Sequence, residues 1–166
     1  MNLLKGCFTS ILLVVFLIGC NSVSDVVPEN KDILYLKEKG FTVDKELGVI
    51  ETYTLNKTKL TEMPYMLMWG LQQKNVTPFL NQKVNLKAYV VTNSNLKEKL
   101  KLNNQESFEV VLMETNEENV GGYLIKTNQK SDKLTGNIYS LSGESLEEVV
   151  KQDLQQWEHE WLEKYR

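Results

Sequence analysis

Few residues in this chain have types and spacing suited to chemistry. The one histidine, His159, has Glu163 a helical turn further on, a pair able to share a metal ion. A catalytic zinc takes three protein ligands, commonly several histidines, and the chain has no second one. At 100° per residue His159 falls opposite the apolar stripe of its segment, so it is expected to face water. A Ser-His-Asp relay would need that ring held in a pocket by a buried acid. With 22 Asp and Glu residues some carboxylate pair always exists, and none stands out by its spacing. No phosphate-cradling glycine loop, EF-hand loop or zinc-ligand spacing occurs, and no cofactor is expected. Gly121-Gly122 lies inside a predicted strand, where a bulge or a bend is expected rather than a ligand approaching the backbone.

Binding surfaces have more candidates. Trp157 and Trp161, one turn apart, suit either a core anchor or a partner hot spot, and the core is the expectation. Met63, Met66, Leu67, Met68, Trp69 and Leu71 make one segment apolar nearly all round, which suits burial better than a pliable groove. Lys97, Lys99 and Lys101, interrupted by Glu98, read as a solvated face; contact with anionic lipid or polymer is the sharper reading.

The whole chain has 166 residues, 42% of them apolar, and a formal charge of −3, which fits one globular domain and argues against binding nucleic acid. Lys5 is followed by an unbroken apolar run from Ile11 to Ile18, the layout of a secretory signal peptide and far short of the ~20 residues that span a bilayer. The run ends in Leu17-Ile18-Gly19-Cys20, which resembles the lipobox of bacterial lipoproteins. The resemblance implies cleavage after Gly19 and a diacylglyceryl group on the Cys20 sulfur, with a thiolate as the acceptor. Two acyl chains hold a protein firmly at a membrane. The expected location is the outer face of the cytoplasmic membrane, or an outer membrane if the organism has one. Cys7 leaves with the leader, so no thiol remains for a disulfide, a metal site or a nucleophile, and loss of Lys5 takes the charge to −4.

The elements then follow in order. Residues 1–19 read as leader, 20–30 as a tether, and 31–166 as one domain. A short helix is expected over Lys31–Lys39 with Gly40 as its stop, and a strand over Gly48–Leu55, with Phe41-Thr42-Val43 as an earlier extended piece. Glu62–Lys74 reads as helix, with Thr61 near its cap and Pro64 in its first turn. Lys83–Thr92 alternates, with Val84, Leu86, Ala88 and Val90 on one face and Asn85, Lys87 and Tyr89 on the other, as a half-buried strand does.

Asn93–Glu106 admits either a short helix or a loop. Ser107–Glu114 and Gly121–Thr127 form a predicted hairpin around Thr115–Asn119, and Asn137–Leu141 adds a strand after the turn at Lys133–Gly136. Ser145-Leu146-Glu147-Glu148 matches a capping box. Leu146, Val150, Leu154, Trp157, Trp161 and Tyr165 follow as one stripe, which predicts a long amphipathic C-terminal helix. The expected class is α+β: about five mainly antiparallel strands with flanking helices.

A second resemblance rests on Leu71-Gln72-Gln73, Phe79-Leu80, Val84 through Tyr89 to Asn93, and Gly121-Gly122. Together these are similar to the core of a family of short, uncharacterised lipoprotein domains from Gram-positive, spore-forming bacteria. Asn75, Asn81-Gln82 and Tyr123 depart from that family's pattern, and the resemblance implies kinship and location without any catalytic residue. The expected function is a lipid-anchored, non-enzymatic domain that binds a protein or an envelope polymer. The alternatives are a carboxylate hydrolase of such a polymer and a small-ligand-binding lipoprotein.

Overall fold

The structure is a computed structural model that describes residues 30–103, 106–116, 118–128 and 138–166. It shows one five-stranded antiparallel sheet in the order β1-β2-β3-β4-β5, so neighbours in sequence are neighbours in space. The strands are β1 (Thr42–Thr54), β2 (Lys83–Thr92), β3 (Glu106–Thr115), β4 (Glu118–Asn128) and β5 (Ile138–Tyr139). Helices α1 (Lys31–Glu38) and α4 (Ser94–Lys99) cover one face of the sheet; α2 (Lys57–Leu60), α3 (Tyr65–Gly70), α5 (Leu146–Val150) and α6 (Leu154–Tyr165) cover the other. The fold is thus the α+β domain expected, with a mainly antiparallel sheet.

Both faces of the sheet are core. On the α3/α6 side Trp69, Val84, Leu86, Val111 and Tyr123 share a cluster with Trp157 and Tyr165. On the α1/α4 side Leu36, Phe41, Tyr89, Phe108 and Leu124 form a second one. Here the reading of Lys83–Thr92 needs correcting. Tyr89 is buried although its face was expected to be polar, because α1 lies over that face. A strand flanked on both sides loses the plain alternation of a half-exposed one.

Other boundaries moved for local reasons. The helix expected over Glu62–Lys74 is only the short α3, which begins after Pro64, and a separate short helix, α2, precedes it and ends before Thr61. The ambiguous stretch after Thr92 opens as helix, because the Asn93 side chain accepts from the Leu96 N–H as an N-cap. The hairpin turn is shorter than expected: β3 and β4 run to Thr115 and from Glu118. The C-terminal stripe is broken. Ser145 and Glu148 form the capping box, but Lys151 adopts a left-handed conformation (φ 56°) that ends α5, and Asp153 caps α6 afresh. The break rotates the register, so Val149 is buried and Leu154 is left exposed. The turn at Lys133–Gly136 lies outside the described residues.

Gly70 has no room for a side chain, since a Cβ there would lie 2.5 Å from Trp157 Cζ2. Gly70→Ala is therefore expected to lower stability by about 1–3 kcal/mol through overpacking. A shift in the urea midpoint with an unchanged slope would register it.

Candidate functional site

The described residues place three features where function could sit: an ionic cluster under α1, an aromatic seam along α6, and the outer edge of the sheet.

The ionic cluster forms because α1 starts above the face of the sheet that carries Lys87, Tyr89 and Glu114. Asn30 caps the helix by accepting from the Asp32 N–H. Asp32, fully buried, then points down at the strands. Its carboxylate accepts from Tyr89 Oη at 2.7 Å, Lys87 Nζ at 3.0 Å and Asn119 Nδ2 at 3.2 Å. Lys87 Nζ also meets Glu114 Oε2 at 2.8 Å, and Lys31 Nζ lies 3.2 Å from Glu114 Oε1.

Burial alone would raise the Asp32 pKa. The hydrogen bonds from Tyr89 and Lys87, the Lys87 charge and Asn119 outweigh it and hold the carboxyl below its ordinary value. Lys87 is moved up: burial opposes its charge, but Glu114 and Asp32 outweigh that. Tyr89 is pushed well up by burial and by Asp32. Two carboxylates face two ammonium groups, so the cluster is balanced and its donors point inward. It holds α1 to β2, β3 and β4. It is built for fastening rather than for drawing a charged substrate.

Sequence reasoning missed this cluster. A signal was present: Phe108, Val110 and Leu112 run along one face at a spacing of two, and Glu114 continues that face as its last member.

The aromatic seam contains both tryptophans singled out above. Trp157 is buried in the larger core, with its ring over Gly70. Trp161 is half-buried, its centroid 5.0 Å from that of Trp157 and 4.7 Å from that of Tyr165. Its indole N–H donates to the Leu60 carbonyl at 2.7 Å, tying α6 to α2. The structure thus gives both tryptophans work inside the domain. Met66, Met68 and Trp69 are also buried, whereas Met63 is exposed. His159 is exposed, with Nε2 3.4 Å from Glu163 Oε1. Among the described residues no group of three or more His, Cys, Asp or Glu is arranged to hold a metal. Lys97, Lys99 and Lys101 are exposed around the end of α4, where Lys99 donates to the Ser142 carbonyl.

The two edges of the sheet differ sharply. On the outer edge of β4 the Gln72 amide pairs with both the N–H and the carbonyl of Gly122, at 3.0 and 3.2 Å, and Lys74 donates to the Val120 carbonyl at 2.8 Å. Gly121 has no Cβ to obstruct the Gln72 side chain. A bulge sits immediately before it, where the register shifts between Met113 and Glu114 and skips Val120. Edge β4 is therefore closed by side chains where β5 stops.

Edge β1 is open. From Asp44 to Ile50 seven consecutive residues are exposed. Three bulges interrupt its pairing with β2, leaving Asp44, Leu47 and Ile50 without partners in the register. Gly48 supports this course with φ 78°. Leu47, Val49 and Ile50 are 38%, 56% and 49% exposed. Between α1 and the start of β1 runs an open groove of about 420 Å³, lined by Ile33, Lys37 and residues 41–46. Asn30 Nδ2 donates to Glu46 Oε2 at 3.4 Å, so the chain enters the domain beside this edge.

Cys20 lies outside the described residues, and among those residues no helix is long and apolar enough to cross a membrane. No family model, no curated protein and no solved structure matches the chain.

Proposed function

We propose that this chain is a lipid-anchored domain on the outer face of a bacterial membrane, which acts by holding a protein or an envelope polymer there. The observation that carries the reading is Leu17-Ile18-Gly19-Cys20 placed directly after the apolar run, with Asn30, the cap of α1, ten positions beyond Cys20. A binding role suits the groups that the fold does perturb. Among the described residues Asp32 and Glu144 are the carboxyls whose pKa is moved, and both are moved down, Glu144 by hydrogen bonds from Ser142 and Ser140. A general acid at neutral pH needs the opposite shift.

The anchor is tested by expression with the native leader, membrane fractionation, and mass analysis of the N-terminal peptide. The expected result is a peptide beginning at Cys20 with a diacylglyceryl increment. Cys20→Ala should lower the membrane-bound fraction roughly tenfold or more, because the acyl chains supply the binding. A membrane fraction unchanged by Cys20→Ala overturns the reading. Cross-linking in cells, with Cys20→Ala as the control, then looks for one stoichiometric partner that depends on the anchor.

A further inference from the structure

The open edge at β1 has an occupant that the fold itself points to. Asn30 is ten positions beyond Cys20, so even a fully extended chain reaches only about 35 Å. A domain of this size has a radius of gyration of roughly 14 Å, so that reach is about one domain width. The side on which Asn30 enters is then the side held toward the anchor. Asn30 is bonded to Glu46, and Leu47 to Ile50 follow along the same strand, within about 13 Å at strand spacing.

Three things decide what covers this segment. It is apolar throughout, Leu-Gly-Val-Ile, and its three side chains are among the most exposed large aliphatic groups described. Its bulges at Asp44, Leu47 and Ile50 leave no more than two paired residues in a row between them. An added strand needs a longer regular edge, so the segment cannot template one, and a contact must be made through side chains. Its charged neighbours, Asp44, Glu46 and Glu51 against Lys45, are acidic on balance, so attraction to anionic headgroups cannot drive the contact.

From these we infer that Leu47, Val49 and Ile50 seat β1 against the bilayer at headgroup level, through shallow apolar contact. The inference rests on the lipid-anchor reading. It gives the domain a fixed orientation, with β1 toward the lipid. The backbone of the open edge stays among the headgroups, where water can still satisfy it.

The test uses the absence of any other thiol once Cys20 is lipidated and Cys7 is gone. Leu47→Cys, Ile50→Cys and Gln156→Cys, the last on the exposed face of α6, are each purified lipidated from membranes, with intact mass confirming the lipid. Each is labelled with an environment-sensitive maleimide dye and reconstituted in phosphatidylcholine vesicles and in phosphatidylethanolamine–phosphatidylglycerol vesicles. Positions 47 and 50 are expected to shift to the blue, brighten severalfold and be quenched by brominated lipid in both vesicle types, while 156 stays as in water. Melting curves matching that of the unsubstituted protein show that the labelled variants are folded.

Water-like emission at 47 and 50 overturns the inference, as does equal quenching at all three positions. Contact only with the anionic vesicles overturns it too, in favour of charge-driven adsorption. Shielding at 47 and 50 only in native membranes assigns the patch to a protein partner instead. If intact mass shows no lipid, the anchor reading has failed on its own. The seat is then tested separately on the mature chain without added cysteines, Cys20 coupled to a maleimide lipid, by protection of the residue 44–50 amides from hydrogen exchange in the same two vesicle types.

Discussion

Replacing Lys87 by Met is expected to cost about 3 kcal/mol, the scale for breaking a buried ionic cluster by removing one partner. At this domain size that lowers the melting temperature by roughly 10 °C. The cation is shared by Asp32 and Glu114, both almost wholly buried, so its loss leaves two carboxylates facing one another with only Lys31 nearby.

The pH dependence should identify the cause. In the natural protein the Asp32 carboxyl lies below its ordinary value. Its contribution is complete above the unfolded pKa of about 3.9 and is lost as pH falls through the lower folded value. Lys87 is raised, so its contribution is complete below about 10.4 and lost only as pH rises through the higher folded value. Stability is therefore expected to stay flat, as far as these two groups are concerned, between those limits. In Lys87→Met the two acids repel, Asp32 loses the hydrogen bond and charge that helped to hold its carboxyl low, and the deficit should shrink as pH falls from 7 toward 4. Urea titrations at pH 7 and pH 5 make the comparison. A deficit equal at both values would mean that packing of the lysine stem, and not its charge, is what was lost.

Trp157→Ala is expected to cost about 3–5 kcal/mol, the range for emptying a large aromatic site in a core. The ring is buried, lies against Gly70, and packs at a tilt on Trp161, so little can collapse into the space. Trp161→Phe gives the comparison. It keeps an aromatic ring but loses the indole N–H bond to the Leu60 carbonyl, at about 1 kcal/mol. Thermal unfolding followed by far-UV circular dichroism should rank the two in that order. A Trp157→Ala protein that melts like its parent would show that the seam is not part of the stabilising core, and would return Trp157 to the list of docking residues.

The elements legible in the sequence were those whose pattern comes from a single cause. Lys83–Thr92 alternates and is a strand of those bounds; Ser145 with Glu148 reads as a capping box and is one. The first helix ends where Gly40, with φ 83°, stops it. Where two causes overlap, the pattern blurs. Period-two reasoning placed Tyr89 on a polar face because Asn85 and Lys87 precede it, yet α1 covers that face and Lys87 is polar only to meet Asp32 and Glu114.

β1 is one strand of 13 residues, but its three bulges break the alternation, so Asp44-Lys45-Glu46 looks like a gap between two pieces. The stripe from Leu146 to Tyr165 crosses the left-handed Lys151, which residue types alone do not announce. The ionic cluster joins positions 32, 87 and 114, far apart in sequence, so no local window holds it. Of the candidate site residues, Trp157 and Trp161 were found by spacing; what they touch, Gly70 and the Leu60 carbonyl, is set by tertiary packing.

The ionic cluster has one more consequence, and it is mechanical. Any pull on the chain ahead of Asn30 reaches the domain through the first turn of α1. There Lys31 is tied to Glu114 on β3, and Asp32 to Lys87 and Tyr89 on β2 and to Asn119 on β4. The load is therefore shared at once among the three inner strands of the sheet, and the Asn30–Glu46 hydrogen bond carries a smaller part of it to β1. A helix end held only by its aliphatic contacts would peel from one side. This one must break several charged bonds together before α1 comes away, so a pull at Asn30 is borne mainly by the middle of the fold.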